Sequence, residues 1–401
     1  MNFSKLRTTV GLDVRGKRAI VRVDLNVPMA DGRVSDATRL IRIAPCLTDL
    51  AARGARVLVI SHYERPKGRD PKYSLRPVAE KLSEVLGAPV GFVDDCIGPA
   101  VDAAVAALAP GQILVLENLR FHAGEEKNDP EFARALARSG DFFVGEAFSS
   151  SHRAHASVDG ITRLLPSYAG PLMAQEISAL RDALEEPRRP TAAVVGGSKV
   201  STKIPILTNL VRKVDRLIIG GGMANTFLQA QGLDVGKSLS EPDFHGTARE
   251  IIAAANASGC VIVLPSDGVV AAELKAGAPS KVVAVDAIPP ESMMLDVGPR
   301  SIAEMAAVVR ECRTLLWNGP LGAFEISPFG EGTFLLAREA AMLTRAGRLA
   351  SVAGGGDTVA ALNAAGVTGD FTYVSTAGGA FLEWLEGREL PGVAALLREA
   401  A

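Results

Sequence analysis

The chain has 401 residues, 48% of them hydrophobic and 22% charged, with a formal net charge of −2. This length allows two or three domains that each bury a core, and the balanced charge gives no indication of nucleic-acid binding. Because the sequence holds no apolar run of about 18 residues and no basic, apolar leader, we expect a soluble cytoplasmic protein without a membrane partner.

Short apolar runs alternate with longer, Ala-rich amphipathic stretches along the chain. This alternation predicts strands joined by crossover helices, so the expected fold class is α/β with doubly wound parallel sheets. Two sheets of about six strands are favoured over one of twelve, because a single core stops growing near 250 to 300 residues. The predicted strands are residues 19–23, 57–61, 90–93, 113–116, 142–144, 192–195, 217–219, 261–264, 282–285, 315–317, 349–353 and 371–374.

The domain boundary is expected near the middle of the chain. Residues 173–184 predict a helix, and residues 185–190 are a charged connector bounded by prolines. We therefore predict a first domain over residues 1–172, a hinge helix with its connector over 173–190, and a second domain over 191–387.

Polar and basic side chains follow the predicted strands of the first half. Ligands of open parallel sheets bind beyond the carboxyl ends of the strands, and guanidinium groups suit phosphate and carboxylate oxygens, so the pattern predicts a site for a small polyanion. A single arginine of this kind is usually a solvated or ion-paired surface group. The candidate residues are Asp24, Asn26, Arg39, His62, Arg65, Arg120 and Arg153, and the histidines that could join them are His62, His122, His152 and His155.

Glycine clusters follow the predicted strands of the second half, at residues 196–197, 220–222 and 354–356. Each places bare backbone N–H groups at the start of a predicted helix, where phosphate is favoured, so the three together predict a nucleotide site. A lone glycine pair is ordinarily only a tight turn. Asp357 and Thr358 after the third cluster are either helix-capping residues or oxygen ligands for Mg²⁺.

Several other motifs are absent. Residues 232–238 resemble a P-loop but have three residues between the glycines where four are required, so we predict a surface turn there. No spaced GxGxxG or GxSxG motif is present. Cys46, Cys96, Cys260 and Cys312 form no CxxC pair and have no histidine nearby in sequence, which argues against a disulfide framework or a zinc site.

Taken in order, the motifs resemble those of the phosphoglycerate kinase family over essentially the whole chain. The matching segments are RVDLNVP at 22–28, ENLRF at 117–121, HRAH at 152–155, GGGMA at 220–224, WNGP at 317–320, GGGDT at 354–358 and GGA at 378–380. The resemblance implies reversible, Mg²⁺-dependent transfer of the acyl phosphate of 1,3-bisphosphoglycerate to ADP, giving 3-phosphoglycerate and ATP. It places this reaction in glycolysis, gluconeogenesis or carbon fixation.

The resemblance also assigns roles to residues. The first domain would hold the acid, and the final segment, about residues 388–401, would return to it in a monomeric enzyme. The acid would be bound by Asp24, Asn26, Arg39, His62, Arg65, Arg120 and Arg153. The nucleotide would be bound by Lys199, Lys203, Asn318, Glu325, Gly355, Gly356, Asp357 and Thr358, with Asp357 as the ligand of Mg²⁺. The catalytic groups would be Arg39, Lys203, Gly378 and Gly379, and hinge closure would precede transfer.

Among the departures of the chain from the family pattern, two bear most on these motifs. Gly145 and Glu146 stand where the family usually has Asn and Asp, and Ala377 stands where the first of three glycines is expected. These departures leave open a protein that kept the fold and lost turnover. Without the resemblance, the residues alone predict an unspecified two-domain kinase or ligase acting on a small acid.

Overall fold

A computed structural model describes residues 3–398 of the chain. Its residues divide into two compact units, one of which runs to Ile177 and resumes at Glu389, while the other comprises Ser178–Arg388. Part of the predicted returning segment, residues 399–401, lies outside the described residues. Within the described residues, no helix is both long and apolar enough to cross a membrane.

The first unit is organised around a parallel sheet. Its strands are β1 (Arg18–Arg22), β2 (Met29–Ala30), β3 (Arg33–Val34), β4 (Arg56–Ile60), β5 (Val90–Val93), β6 (Ile113–Leu116), β7 (Phe142–Gly145) and β8 (Ser167–Ala169). Six of them pair in parallel in the order β5-β6-β4-β1-β7-β8, while β2 and β3 form a hairpin. The chain passes from β1 to β4 on one side and later to β7 on the other, so the topological switch point lies between β1 and β7.

Helices cover this sheet. They are α1 (Thr38–Ala52), α2 (Arg76–Leu86), α3 (Pro99–Ala107), α4 (Ala123–Glu126), α5 (Pro130–Ala137) and α6 (Pro171–Leu180). Val21 of β1 belongs to one core cluster with Leu47 of α1 and Leu82 of α2. The neighbouring Ile20, whose side chain points to the opposite face, is also buried. Burial on both faces explains why these strands read as continuous apolar runs.

The second unit repeats this plan. Its strands are β9 (Thr191–Val195), β10 (Arg216–Ile219), β11 (Val261–Val263), β12 (Asp267–Ala271), β13 (Ser280–Ala284), β14 (Met293–Val297), β15 (Thr314–Asn318), β16 (Ala350–Gly354) and β17 (Tyr373–Ser375). Its helices are α7 (Ile204–Leu210), α8 (Gly222–Ala230), α9 (His245–Ser258), α10 (Pro299–Glu311), α11 (Glu331–Arg345), α12 (Gly356–Ala365) and α13 (Gly379–Leu385). The parallel sheet has the order β11-β10-β9-β15-β16-β17, with its switch point between β9 and β15.

A smaller antiparallel sheet of the second unit corrects one sequence prediction. Residues 282–284 of the predicted run at 282–285 lie in β13, which pairs antiparallel with β12, and β12 pairs antiparallel with β14. A parallel crossover needs a dozen or more residues, and the connection over 272–279 is too short for one. The expectation that this run belongs to the parallel sheet was therefore wrong, and the sequence prediction missed β12 and β14.

One helical segment carries the chain from the first unit into the second. Helix α6 continues directly as a π-helical segment, Arg181–Glu185, and the division between the units falls after Ile177 within α6. At the other end of the chain, α14 (Pro391–Leu396) belongs to the first unit. There the N–H of Gly392 donates to the carbonyl of Ser151 at 2.8 Å.

Candidate active site

The residues predicted to bind an anion follow the carboxyl ends of β1, β4, β6 and β7. Arg22, the last residue of β1, is 2% exposed, and its Nη2 lies 3.0 Å from Nδ1 of His62. Because a guanidinium only donates, Nδ1 must accept, and the imidazole proton lies on Nε2. Burial lowers the pKa of His62, and the charges of Arg22, Arg120 and Arg153 lower it further. His62 is therefore neutral at pH 7 and presents a donor at Nε2.

The cationic groups of this unit lie close enough to repel one another. The Arg120 side chain is buried and donates to the carbonyl of Glu64, and its Nε lies 3.2 Å from Oε1 of Glu126. Burial lowers the pKa of Arg120, Glu126 raises it, and the charges of Arg153 and Arg65 lower it again. An anion bound among these groups would relieve their repulsion.

A second set of contacts orders the loop after β1. Oδ1 of Asp24 accepts from the N–H of Asn26 at 2.9 Å, and Oδ2 accepts from Oγ of Ser149 at 2.6 Å. Arg39, from the first turn of α1, donates to the carbonyl of Asn26, and its Nη1 lies 3.4 Å from Asp24. The amide of Asn26 accepts from the N–H of Glu64 at 3.0 Å, which ties this loop to the one after β4.

A cavity of about 520 Å³ lies in the second unit, at the ends of the parallel strands. Gly197, Gly221 and Gly222 line one part of it, residues 320–325 line another, and Asp357 lies at its edge. Leu239 and Leu274, which are 52% and 48% exposed, contribute apolar surface to the same cavity. Its size is that of a small-molecule site, and the combination of apolar side chains with bare backbone N–H groups suits a base joined to phosphates.

Glycine is required where the two loops at this switch point meet. A Cβ on Gly196 would lie 1.8 Å from the carbonyl oxygen of Pro320, and one on Gly319 would lie 2.2 Å from the carbonyl oxygen of Gly196. The N–H of Gly196 donates to the carbonyl of Asn318 at 3.0 Å. The loops after β9 and β15 therefore pack backbone against backbone, and the N–H of Gly221 donates across to the carbonyl of Leu321 at 2.8 Å.

Beside the cavity, protein contacts position Lys203. Its Nζ donates to Oδ1 of Asn318, while Nδ2 of Asn318 donates to the carbonyl of Gly354 at 2.8 Å. Burial lowers the pKa of Lys203, and the charges of Asp357 and Glu386 raise it. Both polar atoms of the Asn318 amide thus contact protein, so Asn318 orients Lys203.

The predicted nucleotide-binding residues differ in whether they line the cavity. Glu325 and Asp357 line the cavity itself. Of the others, Lys199, Lys203 and Gly355 lie in loops, Asn318 ends β15, and Gly356 and Thr358 lie in the first turn of α12. Oγ1 of Thr358 accepts from the N–H of Gly319 at 2.7 Å, so this buried hydroxyl supports the loop after β15.

Sequence reasoning missed several lining residues. Lys237 belongs to the turn at 232–238 that the motif analysis dismissed, and it lines the cavity although the segment is not a P-loop. Leu239, Leu274 and residues 293–295 carry no motif, and they reach the cavity through tertiary packing. In the first unit, the structure places His122 beside Asp95, at 2.7 Å, and His155 beside Glu125, at 3.7 Å.

The structure shows how the chain accommodates both departures from the family pattern. Among the described non-glycine residues, a positive φ occurs only at Asp31, Glu64 and Asn128, so Ala377 adopts an ordinary backbone conformation. The following Gly378, with φ of 53°, caps α13. Ala377 therefore introduces no backbone strain into this turn.

The second departure places a buried carboxyl at the start of the helix that joins the units. Glu146 is 3% exposed, and its oxygens accept from the N–H groups of Leu172 and Met173, at 3.1 and 3.4 Å, in the first turn of α6. Burial raises the pKa of Glu146 to about 7, although the hydrogen bonds from Leu172, Met173 and Cys46 act to lower it. A Cβ on Gly170 would lie 2.1 Å from Oε2 of Glu146, so glycine is needed there.

One Rossmann-like unit carries a group of cationic side chains that suits an anion. The other carries a glycine-lined cavity of nucleotide size. These two sites are those of a phosphotransferase. A family model described as "Phosphoglycerate kinase" matches residues 10–388. The chain is 61% identical over 388 residues to a phosphoglycerate kinase of Methylorubrum populi, covering 96% of this chain and 97% of that protein. It is 58% identical over 393 residues to that of Bradyrhizobium diazoefficiens, covering 98% and 99%. The chain belongs to the phosphoglycerate kinase family.

A solved structure agrees. Phosphoglycerate kinase from Coxiella burnetii superimposes with a TM-score of 0.92 at 41% sequence identity, covering 98% of each chain. The predictions of the family, of an α/β fold with parallel sheets and of a kinase that uses ADP and ATP are confirmed. The roles of individual residues stay predictions.

Proposed function

We propose that this chain carries out Mg²⁺-dependent transfer of the acyl phosphate of 1,3-bisphosphoglycerate to ADP, with the acid bound in the first unit and the nucleotide in the second. The observation that carries this assignment is the grouping of buried Arg22 and Arg120 and partly buried Arg153 around neutral His62. The mutual repulsion of these cations favours a bound anion, and a phosphorylated acid supplies one.

In the first unit, the basic side chains hold the acid. Arg65, Arg120 and Arg153 supply guanidinium donors for phosphate or carboxylate oxygens, and His62 supplies the N–H at Nε2. Asp24 and Asn26, held by Ser149 and by the N–H of Glu64, suit the hydroxyl of the glycerate. These contacts exist in ground and transition states alike, so they contribute mainly to affinity.

In the second unit, the apolar side of the cavity takes the base, and the turns after β9 and β16 take the phosphates. No side chain caps α12, so its first N–H groups remain for phosphate oxygens, with Lys199, Gly355, Gly356 and Thr358 near them. Asp357, an exposed carboxylate in the first turn of α12, fits the preference of Mg²⁺ for oxygen ligands, alongside phosphate oxygens and water. Glu325, at the cavity edge, suits the ribose hydroxyls.

Transfer itself needs charge neutralisation more than proton transfer. The transition state spreads negative charge over the equatorial phosphoryl oxygens, and when Mg²⁺ is bound it neutralises part of that charge. Arg39 and Lys203 supply further positive charge, and the N–H groups of Gly378 and Gly379 supply donors. The ADP oxygen is already anionic and the glycerate carboxylate is a good leaving group, so the forward reaction needs no general base.

Steady-state kinetics test this division of labour. Initial rates with 3-phosphoglycerate and MgATP varied independently are compared for the wild type and Arg120→Ala. Arg134→Ala is the matched control, because Arg134 is an exposed arginine of the first unit whose ion pair is with Glu131. We expect Arg120→Ala to raise KM for 3-phosphoglycerate and leave KM for ATP unchanged. A raised KM for ATP alone would overturn the assignment of the acid to the first unit.

The same proposal includes the expectation of a cytoplasmic monomer. The four cysteines are buried free thiols, as suits a reducing compartment. Size-exclusion chromatography with light scattering measures the mass of the protein in solution. A mass of 41.9 kDa is expected for a monomer, and twice that mass would contradict the expectation.

A further inference from the structure

A cluster of Asp95, Cys96 and His122 lies at the edge of the first unit, and the reaction described above does not use it. Asp95 and Cys96 follow β5, and His122 follows the short 3-10 helix Leu119–Phe121 after β6. The strands β5 and β6 pair in parallel, with Val93 opposite Leu116, so their carboxyl ends meet. Pairing of the strands thus brings together residues that are 26 positions apart.

The three side chains present ligand atoms to one another. A thiol sulfur, an imidazole nitrogen and a carboxylate oxygen lie within 4.8 Å of one another. Nε2 of His122 is 2.7 Å from Oδ1 of Asp95, and the ring of His122 stacks on Phe132 with centroids 5.3 Å apart. The stacking on Phe132 restricts the plane of the His122 ring.

Charged and polar groups surround the cluster. Oδ1 of Asp95 accepts from the N–H of Cys96 at 2.7 Å, and Oδ2 lies 3.3 Å from Nη1 of Arg69 at a half-exposed ion pair. Glu117 accepts from Ser74, Leu75 and Asn118, and Glu125 accepts from Ser157. Both of these buried carboxylates are held by protein hydrogen bonds, and the acidic member of the cluster is Asp95, whose oxygen lies within 4.8 Å of the sulfur and of the imidazole nitrogen.

We propose that Asp95, Cys96 and His122 bind a divalent metal ion of the Zn²⁺ class, separately from the Mg²⁺ of the nucleotide. Thiolate and imidazole suit Zn²⁺, while Mg²⁺ prefers oxygen ligands. Three protein ligands leave a fourth position for water, and the Asp95 and His122 side chains are about 30% exposed, which gives the ion a path of entry.

No histidine lies near any of the four cysteines in the sequence, and a zinc site was not expected for that reason. The strand order of the sheet supplies His122 from another connection, so spacing along the chain did not report the distance in space.

Metal titration of the full, nucleotide-free chain tests the site. Co²⁺ serves as the probe because a Co²⁺–thiolate bond absorbs in the near ultraviolet, and Zn²⁺ is then added to displace it. We expect one Co²⁺ per chain with a thiolate band that Zn²⁺ abolishes and Mg²⁺ does not. Cys96→Ser should abolish the band, and the matched control Cys46→Ser, which removes another buried thiol of the same unit, should retain it.

A second variant keeps the test decisive if Cys96→Ser misfolds. His122→Asn changes a partly exposed side chain, and we expect it to weaken Zn²⁺ binding at least about tenfold. His245→Asn, in the second unit, should bind like the wild type. Absence of a thiolate band in the wild type, or equal affinity of His122→Asn and wild type, would show that the cluster is only an Asp–His ion pair beside a buried thiol.

Discussion

The buried carboxyl of Glu146 gives a sharp prediction about stability and pH. Burial raises its pKa from 4.5 to about 7 in the folded chain. Between these two values the folded state holds a proton that the unfolded state releases, so the free energy of unfolding falls as pH rises through this window. The loss of unfolding free energy caused by ionising buried Glu146 is absent below about pH 4.5 and complete above about pH 7. A difference of about 2.5 units corresponds to about 3 kcal/mol.

Replacing Glu146 with Gln removes this ionisation. The amide oxygen can still accept from the N–H groups of Leu172 and Met173, so the start of α6 keeps an acceptor. We expect Glu146→Gln to gain about 3 kcal/mol relative to the wild type between pH 4.5 and pH 8. The readout is hydrogen exchange of peptides that cover β7 and α6. Tryptophan fluorescence would report on the second unit instead, because both tryptophans, Trp317 and Trp384, belong to it.

A second buried carboxyl of the same unit serves as the matched control. Burial raises the pKa of Glu125, but the hydrogen bond from His155, the charge of Arg22 and the hydrogen bond from Ser157 outweigh it, and the pKa is lowered. A lowered pKa stabilises the fold above the unfolded pKa, so Glu125→Gln should lose stability relative to the wild type as pH rises toward about 4.5, with no further change between pH 4.5 and pH 8. If Glu146→Gln and Glu125→Gln changed with pH in the same direction, the assignment of a raised pKa to Glu146 would be wrong.

Four further outcomes follow from the site geometry. Arg39→Ala and Lys203→Ala should each lower kcat at least about 100-fold with the fold retained, and a kcat near that of wild type would remove that residue from the catalytic group. Arg65→Ala should raise KM for 3-phosphoglycerate in initial-rate measurements, and a change confined to KM for ATP would contradict its placement. Asp357→Asn should raise the Mg²⁺ concentration needed for half-maximal rate, whereas an unchanged Mg²⁺ dependence would exclude it as a ligand. Gly196→Ala should lower the thermal midpoint because its Cβ meets the Pro320 carbonyl, while Gly246→Ala, with open space around it, should not.

The strand pattern could be predicted because burial on both faces of a parallel strand leaves a plain apolar run. The run at residues 113–116 coincides with β6, in which all four residues are buried. The short antiparallel strands were harder. In β13, Ser280, Lys281 and Val282 are exposed, so no continuous apolar run marks its start, and the neighbouring β12 contains Asp267 and Gly268.

The polar ends of strands could likewise be predicted as a ligand-binding edge, but not their partners. That Asn318 orients Lys203, or that Arg22 fixes the tautomer of His62, depends on contacts between loops far apart in sequence. The apolar part of the nucleotide cavity, from Leu239 and Leu274, has no sequence signature because an exposed leucine looks like any other surface leucine.

The central claim is that this chain moves a phosphoryl group between ATP and the carboxylate of 3-phosphoglycerate. A coupled assay tests it most directly: purified chain, 3-phosphoglycerate and MgATP, with glyceraldehyde-phosphate dehydrogenase reducing the acyl phosphate at the expense of NADH. We predict NADH consumption that is proportional to the amount of chain, requires both substrates and is abolished when unphosphorylated glycerate replaces 3-phosphoglycerate. Absence of NADH consumption by a folded chain that binds both ligands would contradict the claim and favour a protein that kept the fold without turnover.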